Sequence, residues 1–368
     1  MSLSLFGCGY NGFLKLSNIK LLDVESKSKV LQEATQTLKI LSPLFLIQLK
    51  EKEDVHSIAI TWARLGITMK RMNTFCSFIT ELSNNKYASQ SGLQVFDNCI
   101  IKASTEQEIL VKTPDVSKYL ILKDNANESL HIDAVVETDL ICGTHHAYFV
   151  SSNERFGELD PTKNRHQNEK VQTSVAVCPI SSRFRIREMS CGKEHVLLLD
   201  DTGSIYSYGG GSKGQLGHST VESKSLPTVI DALHGLTIKT ISAGGWHSAA
   251  ISVFGDLYMW GWNESGQLGL ASLDKEETSS TIVTEPKCIY FSSDLNVVSV
   301  SCGSRHTVVL TGGGQVLASG WNRYGQLGLG DTINRWNFTQ LASIPFITFQ
   351  KVFAGHWNTI FLCQQSKL

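Results

Sequence analysis

Cysteine and histidine recur together at a fixed spacing along the chain, four residues apart. The pairs are Cys142 and His146, Cys191 and His195, and Cys302 and His306. Thiolate and imidazole are preferred zinc ligands, and a Cys–His pair can also act as an activated nucleophile. Because the same offset repeats along the chain, the pairs are expected to lie in separate structural units, too far apart to hold one metal. The spacing therefore favours a buried, hydrogen-bonded structural histidine in each unit, with no metal and no cofactor.

A glycine-rich segment at residues 209–214, Gly-Gly-Gly-Ser-Lys-Gly, resembles a phosphate-binding loop in composition. A P-loop, however, requires Gly-Lys-Ser/Thr between a strand and a helix, and here a further strand is expected. Positive φ angles in tight turns explain these glycines better. No carboxylate pair or Ser-His-Asp order recurs in a way that would support an active site, so the sequence predicts a protein that is not an enzyme.

The residues with possible chemistry belong to an internal repeat in which a glycine is followed three residues later by histidine. The structural repeat residues are Gly192 and His195, Gly244 and His247, Gly303 and His306, and Gly355 in a partial unit that carries Asn358 instead of histidine. A second glycine follows the first at a fixed distance, and a Gly-Gln-Leu-Gly follows at 214–217, 266–269 and 325–328. Fixed offsets in three segments indicate repeated supersecondary structure.

Each unit of roughly 50 residues contains alternating or apolar segments typical of four antiparallel strands, which predicts an all-β propeller of four-stranded blades. Residues 185–361 carry clear repeats, whereas residues 15–180 are degenerate and contain an expected mobile insertion near 153–173. Six blades can be counted, and a seventh could lie between Gln94 and Leu122. Residues 1–14 are predicted to complete the C-terminal blade, because Gly7 and Gly12 match the offset from Gly261 to Gly266. The whole chain, 1–368, is then one propeller, closed by pairing of its N- and C-terminal strands.

Composition narrows the class of protein. The formal net charge is -1, so there is no overall field to attract nucleic acid or an anionic membrane, and direct binding to either is not expected. Nine scattered cysteines without a CxxC pair are unlike a disulfide framework and favour a reducing compartment. The N-terminal segment lacks a basic n-region, and no apolar run reaches membrane-spanning length. We expect a monomeric protein of the nucleus or cytoplasm.

Candidate binding residues emerge where the repeats differ from one another at equivalent positions. In an up-and-down blade, the first loop and the loop between the third and fourth strands lie on one face. The candidates on that face are Glu194, Trp246, Arg305, Arg323, Tyr324 and Trp357. Tryptophan, arginine and tyrosine dominate binding hot spots, although packing between blades is an alternative role, and it is favoured for Trp262 and Trp321. The basic run 183–187 is expected to be an exposed strand face or a contact for an acidic partner or nucleic acid.

The repeats resemble those of the regulator of chromosome condensation family in Gly-x-x-His, aromatic-Gly and Gly-Gln-Leu-Gly at these offsets. The resemblance is specific over residues 185–361 and faint over residues 15–180. It is carried by Ala243-Gly-Gly-Trp-His-Ser248, Trp260-Gly-Trp-Asn-Glu-Ser-Gly-Gln-Leu268 and Cys302-Gly-Ser-Arg-His-Thr307, which look most like a small member of the family.

The family resemblance implies a seven-bladed propeller that binds protein partners. For the small member it implies an intracellular, chromatin-associated adaptor, with histones or chromatin as possible contacts and a Jumonji-C-domain oxygenase as partner. Other members exchange nucleotide on a Ran-type GTPase through an extra hairpin and bind nucleosomes through a basic arm. Neither feature is found in this sequence, so the adaptor function ranks first. Nucleotide exchange on a small GTPase is the alternative function, and a metal-dependent enzyme is a third.

Overall fold

The computed structural model describes residues 185–270, 281–291, 295–343 and 347–364 in full, and the backbone of Gln365. Before residue 185 it describes the backbone of the strands, together with the buried side chain of Cys8. The architecture is all-β: seven four-stranded antiparallel sheets follow one another along the chain. Within the described residues, no helix is long and apolar enough to cross a membrane.

The first three sheets are formed by the degenerate part of the chain. Sheet 1 contains β3 (Asp54–Ile60), β4 (Arg64–Arg71), β5 (Thr74–Glu81) and β6 (Leu93–Asp97). Sheet 2 contains β7 (Ile100–Ser104), β8 (Glu108–Lys112), β9 (Lys118–Lys123) and β10 (Ser129–Asp133). Sheet 3 contains β11 (Thr138–Cys142), β12 (Ala147–Ser151), β13 (Arg155–Leu159) and β14 (Cys178–Pro179).

The next three sheets are formed by the clear repeats. Sheet 4 contains β15 (Ile186–Cys191), β16 (His195–Asp200), β17 (Ile205–Gly209) and β18 (Lys224–Val229). A short 3-10 helix, Asp231–Leu233, leads to the next sheet. Sheet 5 contains β19 (Ile238–Ala243), β20 (His247–Ser252), β21 (Leu257–Trp262) and β22 (Ile282–Cys288). Sheet 6 contains β23 (Val297–Cys302), β24 (His306–Thr311), β25 (Val316–Gly320) and β26 (Arg335–Gln340).

Sheet 7 combines the two ends of the chain. Its strands, in spatial order, are β27 (Ile347–Ala354), β28 (Asn358–Gln365), β1 (Ser2–Gly9) and β2 (Leu46–Leu49). The expected pairing of N- and C-terminal strands is therefore present, between β1 and β28. Two details differ from the sequence prediction. The fourth strand comes from residues 46–49 and not from residues 1–14. Gly9, not Gly7, is the equivalent of Gly261. Gly9 pairs with Asn358, just as Gly261 pairs with His247.

Seven sheets decide between the six and seven blades that the sequence allowed. The extra sheet is sheet 2, which lacks the glycine signature. The start of the range Gln94–Leu122, proposed for this blade, belongs instead to β6, the fourth strand of sheet 1. Within the range 153–173, where a mobile insertion is expected, β13 covers Arg155–Leu159, and the other residues lie outside the described part of the chain.

A shared irregularity shows that the degenerate sheets keep the architecture of the clear repeats. The pairing of the first and second strands shifts by one residue in sheets 1, 2, 4, 5, 6 and 7. In sheet 1 the shift falls between Val55 and Ser57, and in sheet 4 between Ile186 and Glu188. A β-bulge of this kind bends its strand and increases the local twist. The bulge therefore persists where the Gly-x-x-His signature has been lost.

The cores lie between successive sheets. Every residue of β16, β20 and β24 is buried, which explains why these second strands read as continuous apolar runs instead of alternating. Trp260 of sheet 5 packs with Leu197 and Ile205 of sheet 4, and Phe361 of sheet 7 packs with Val308 of sheet 6. Contacts between neighbouring sheets run in chain order from sheet 1 to sheet 7. The described sheets 4 to 7 thus bury their faces against their neighbours.

Candidate functional site

The repeat histidines are buried one per sheet and join each sheet to the next. Each Nε2 lies within hydrogen-bonding distance of a hydroxyl on the second strand of the following sheet. The pairs are His195 with Ser248 at 2.8 Å, His247 with Thr307 at 3.0 Å, and His306 with Thr359 at 3.1 Å. Each of those hydroxyls in turn donates to the backbone carbonyl of a repeat glutamine, namely Gln215, Gln267 and Gln326. The imidazoles therefore connect sheets, and they do not converge.

The hydrogen-bond pattern fixes the protonation of these histidines. The Thr307 hydroxyl donates its hydrogen bond to the Gln267 carbonyl, so it accepts a hydrogen bond from His247. His247 must therefore carry its proton on Nε2. Burial disfavours the charged form and lowers the pKa of His195 and His247 to about 3 and that of His306 to about 4. The three imidazoles are therefore neutral hydrogen-bond donors at physiological pH.

The repeat glycines permit the close approach of neighbouring sheets. A Cβ on Gly192, Gly244 or Gly303 would overlap the imidazole of its own repeat and the carbonyl oxygen of the equivalent glycine in the next sheet. For Gly303 that oxygen belongs to Gly355 of the partial repeat. These glycines are thus required by space, whereas Gly261, with φ of 103°, is also required by its backbone conformation.

Chemistry based on the cysteines and the Ser–His contact is not supported by the described residues. Burial raises the pKa of the Cys302 thiol to about 12, so this cysteine is not a thiolate nucleophile. Ser207 lies 2.8 Å from Nε2 of His218, but its hydroxyl donates to the carbonyl of Leu216 and cannot be activated by that imidazole. Among the residues described in full, no group of His, Cys, Asp or Glu could hold a metal ion. His146 and its neighbouring loop lie outside the described residues.

The two loops that were expected to share a face lie side by side in each clear repeat. In each repeat, a backbone carbonyl in the first loop accepts a hydrogen bond from a backbone N–H at the end of the third strand. The donor is the residue that follows the glycine of that strand. The bonds run from Gly210 to Glu194 at 2.6 Å, from Trp262 to Trp246 at 2.8 Å, and from Trp321 to Arg305 at 2.8 Å. Side chains of the two loops are thereby presented together, on what we call the loop face.

Cations and aromatic rings interleave on this face across sheets 4, 5 and 6. Trp246 and Trp262 form an edge-to-face pair with centroids 5.4 Å apart. Lys193 lies 4.7 Å from the Trp246 ring centroid, and Arg305 and Lys213 lie 4.5 and 5.6 Å from that of Trp262. Arg305 also reaches Glu264, with Nη1 3.8 Å from Oε2. We call these six residues the cation–aromatic patch.

A second cluster continues the loop face into sheet 7. The ring centroid of Trp321 lies 4.8 Å from that of Tyr324 and 4.9 Å from that of Trp357, and all three ring pairs are edge-to-face. Trp321 is bonded through its backbone to Arg305, so this aromatic triad adjoins the cation–aromatic patch. Tyr324 is 42% exposed, which leaves an aromatic surface open to solvent. The loop face is thus a continuous band of rings and cations.

Comparison with known proteins matches the repeats to a family. The model described as "Regulator of chromosome condensation (RCC1) repeat" matches residues 202–251, 255–310 and 313–362, and a second model of the same description matches 186–215, 238–267 and 297–326. Residues 186–362 belong to the RCC1 repeat family. Human "RCC1 domain-containing protein 1" is 36% identical over 214 residues, which are 49% of this chain and 57% of that protein. The chain thus spans about half the length of the curated relatives it matches.

Solved RCC1-type propellers have the same fold at low sequence identity. Human WBSCR16 superposes with a TM-score of 0.69 at 13% identity, over 99% of this chain and 100% of that one. Prp20p from Saccharomyces cerevisiae superposes with a TM-score of 0.68 at 15% identity, over 100% of this chain and 92% of that one. These matches cover the degenerate sheets as well as the clear RCC1 repeats.

The structure separates the predicted binding residues into three groups. Trp246 and Arg305 belong to the cation–aromatic patch, Tyr324 and Trp357 belong to the aromatic triad, and Glu194 and Arg323 are exposed elsewhere on the loops. In the basic run, Arg185 and Arg187 are exposed, and Arg187 also donates to the carbonyls of Ile238 and Lys239 on sheet 5 at 2.7 and 2.9 Å. Arg183 lies outside the described residues.

Sequence reasoning missed three members of the patch, Lys193, Lys213 and Glu264. The same comparison of RCC1 repeats could have found them, since Lys193 stands where the next repeat has Gly245, and Glu264 stands where its neighbour has Ser212. Trp262, for which packing was favoured, is half-buried and lies at the centre of the patch. Its ring contributes to both packing and the exposed surface.

The opposite face of the RCC1 repeats is formed by the turns between second and third strands. Asp201 and Thr202 are exposed there, and Gln315 is half-buried. In sheet 5 the same turn carries Phe254, which is 82% exposed beside a cavity of about 340 Å³, and Tyr290 at the cavity edge is 90% exposed. This turn face therefore also has apolar surface, confined to sheet 5 among the residues described in full.

Proposed function

We propose that this chain is a non-enzymatic protein-interaction scaffold whose binding surface is the loop face. The observation that carries the proposal is the continuous band formed by the cation–aromatic patch and the aromatic triad. Arginine, tryptophan and tyrosine are enriched in interface hot spots, because they bury large areas and pair with specific partners. The fold does not dictate these side chains, since equivalent positions hold Glu194, Trp246, Arg305 and Trp357.

We further propose that the seven sheets close into one propeller, with sheet 7 completing the ring against sheet 1. Pairing of β1 with β28 and the chain-order contacts from sheet 1 to sheet 7 support this closure. In a closed ring the first and last sheets contact each other, so neither is left open, and the loops are held in fixed relative positions. The loop face would then be a rigid, preorganised surface, which lowers the entropic cost of binding.

The proposed partner is a Jumonji-C-domain oxygenase, and the proposed setting is chromatin in the nucleus. Similarity to RCC1 domain-containing protein 1 supports this assignment. The alternative is nucleotide exchange on a Ran-type GTPase, since the structurally similar Prp20p binds Gsp1p and histones. Exchange requires a projecting hairpin, and every strand of the described residues belongs to one of the seven sheets. We therefore favour the adaptor function.

Affinity purification of the tagged chain from cells tests the proposal. The wild type is compared with Trp246→Ala and Trp357→Ala, and with Asp201→Lys on the turn face as control. Recovery of a Jumonji-C oxygenase by the wild type and the control, with loss by both tryptophan variants, supports the adaptor function. Recovery of a small GTPase supports the alternative. A partner retained equally by all variants places the binding surface elsewhere.

A further inference from the structure

Arg305 is held by one ring and one carboxylate. Its guanidinium lies 4.5 Å from the ring centroid of Trp262, and Nη1 lies 3.8 Å from Oε2 of Glu264. The Arg305 and Glu264 side chains are 35% and 54% exposed. A guanidinium stacked on an indole is fixed in orientation and still presents several N–H donors at its edge. The ring therefore positions Arg305, and the carboxylate contact is secondary.

The contact between Arg305 and Glu264 is easily exchanged. Solvent-exposed ion pairs contribute little to stability, because both groups are well hydrated and water screens their attraction. At 3.8 Å, the pair is also longer than a charge-assisted hydrogen bond of good geometry. A carboxylate from another molecule could take the place of Glu264 at low cost and form the shorter, two-pronged contact that arginine favours.

Charge around Arg305 favours an anionic ligand. The patch contains three cations, Lys193, Lys213 and Arg305, and one carboxylate, Glu264, on a chain whose formal net charge is -1. The cations lie over Trp246 and Trp262, where an incoming segment would also bury apolar surface. Within the patch, three cations lie against the aromatic surface and one carboxylate contacts Arg305.

We propose that the cation–aromatic patch binds an acidic peptide segment of a protein partner, with Arg305 as the anchor for a carboxylate. In the free protein, Glu264 occupies the carboxylate position and competes with the ligand. This inference rests on the proposed function of the loop face and specifies the chemistry of its partner. Carboxylate is favoured over phosphate because Glu264 shows that a carboxylate reaches Arg305 in this geometry.

A fluorescently labelled oligoglutamate peptide tests the proposal by anisotropy titration of the full chain. An oligoglutamine peptide of the same length and a single-stranded oligonucleotide serve as comparison probes. Oligoglutamate should bind more tightly than oligoglutamine, and more weakly as salt increases. Arg305→Gln should weaken oligoglutamate binding by about tenfold or more, as expected for lost hydrogen bonds to a charged group. Arg305→Lys should retain only part of the wild-type affinity. Lysine keeps the positive charge but cannot form the two parallel hydrogen bonds that a guanidinium makes to a carboxylate.

The decisive variant is Glu264→Gln, which should tighten oligoglutamate binding by about two- to fivefold, because it removes the competing carboxylate. Glu222→Gln removes an equal charge from the corresponding loop of sheet 4, where Glu222 is exposed, and should have a smaller effect. In an Arg305→Gln background, the gain from Glu264→Gln should disappear. Thermal melts establish that each variant is folded.

Several results would overturn the proposal. Equal gains from Glu264→Gln and Glu222→Gln would show a general charge effect, and preference for the oligonucleotide would show a nucleic-acid site. Equal binding of oligoglutamine would remove the role of the carboxylate. If oligoglutamate does not bind while a purified partner still requires Trp246 and Trp357, the scaffold function stands and acidic-segment recognition is wrong.

Discussion

The Nε2 atom of His247 lies 3.0 Å from the Oγ1 atom of Thr307, which belongs to the next sheet along the chain. The Thr307 hydroxyl donates a hydrogen bond to the carbonyl of Gln267. Gln267 lies in the loop between the third and fourth strands of sheet 5, the sheet that contains His247. Two sheets are thus joined by a buried chain of two directional bonds. The same arrangement occurs at His195 and His306, so it is a repeated connection between sheets.

Removing the hydroxyl from this connection should destabilise the fold. In Thr307→Val the shape is retained, but the Nε2–H of His247 and the carbonyl of Gln267 both lose a partner. The Gln267 carbonyl keeps a longer contact with the Ser319 hydroxyl at 3.4 Å, so the Nε2–H of His247 is the group left without a hydrogen bond. We expect the free energy of unfolding to fall by about 1 to 3 kcal/mol, as for a buried donor left unpaired. Thr307→Ser keeps the hydroxyl and should recover most of the loss. Denaturant titration measures both, and equal losses from the two variants would indicate a packing effect instead.

Acidification should destabilise the protein through the same histidines. Their folded pKa values are about 3 to 4, whereas an unfolded histidine titrates near 6.5. Above that pH the histidines are neutral in both states, and their titration adds no pH dependence to the stability. As the pH falls below it, the unfolded state gains protons that the folded state does not bind, so stability falls by up to about 1.4 kcal/mol per pH unit for each histidine.

The variant His247→Gln isolates this contribution. Unfolding free energies of wild type and variant are compared at about pH 7 and about pH 5, where the variant should lose less stability than the wild type. Both proteins contain the same carboxylates, so subtracting the pH dependence of the variant from that of the wild type cancels their contribution. Identical slopes would mean that His247 has the same pKa in the folded and unfolded states and would contradict its burial as a neutral group. Stoichiometric zinc in the purified wild type would contradict its role as a metal-free structural residue.

Deletion of Met1–Asn11 should destabilise the fold and promote aggregation. The deletion removes β1, which pairs with β28 on one side and with β2 on the other. Both partners would be left with unpaired backbone groups, and Phe361 would lose its contact with Cys8. We expect a lower Tm and concentration-dependent association, measured by calorimetry and light scattering. Removal of residues 366–368, which follow β28, is the control, and an unchanged Tm after the N-terminal deletion would refute the role of β1.

Truncation of the loop face should weaken partner binding without unfolding the protein. Arg305→Ala and Trp246→Ala should each cost about 2 kcal/mol, or roughly a thirtyfold loss of affinity, as hot-spot residues do. Both side chains are only half-buried, so folding should survive. Charge reversal at Asp201 or bulky replacement of Thr202 or Gln315 on the turn face should be tolerated. Binding measured against the purified partner decides, and loss from the turn-face variants alone would place the interface there.

The repeated architecture could be predicted from the sequence, because the glycine and histidine offsets have direct steric causes. A Cβ on Gly244 would overlap both the His247 ring and the Gly303 carbonyl, so substitution is restricted and the signature survives in the clear repeats. Sheet 2 has no such signature, and its position could not be read. What it shares with the other sheets is a bulge between Ile101 and Ala103, which depends on backbone pairing and leaves little trace in residue types.

The candidate site could be predicted in part. Comparison of repeats selected Trp246, Arg305 and Trp357, since variation at equivalent positions marks side chains that the fold does not require. The contact between Arg305 and Trp262 joins two different sheets, as does that between Lys193 and Trp246. Such contacts depend on how neighbouring sheets are rotated against each other, which spacing along one chain does not reveal. The pairing of cations with rings therefore became visible only in three dimensions.

The split composition of sheet 7 has a consequence during protein synthesis. β1 and β2 precede the six other sheets in the chain, and β27 and β28 follow them. The nascent chain therefore carries β1 with no partner on its β28 side until all six intervening sheets have been made, and those sheets can form in order. An unpaired strand of this kind is an aggregation hazard that folding factors would have to shield. Sheet 7 can be completed only in chains whose synthesis has passed β28, so its formation distinguishes them from chains terminated earlier.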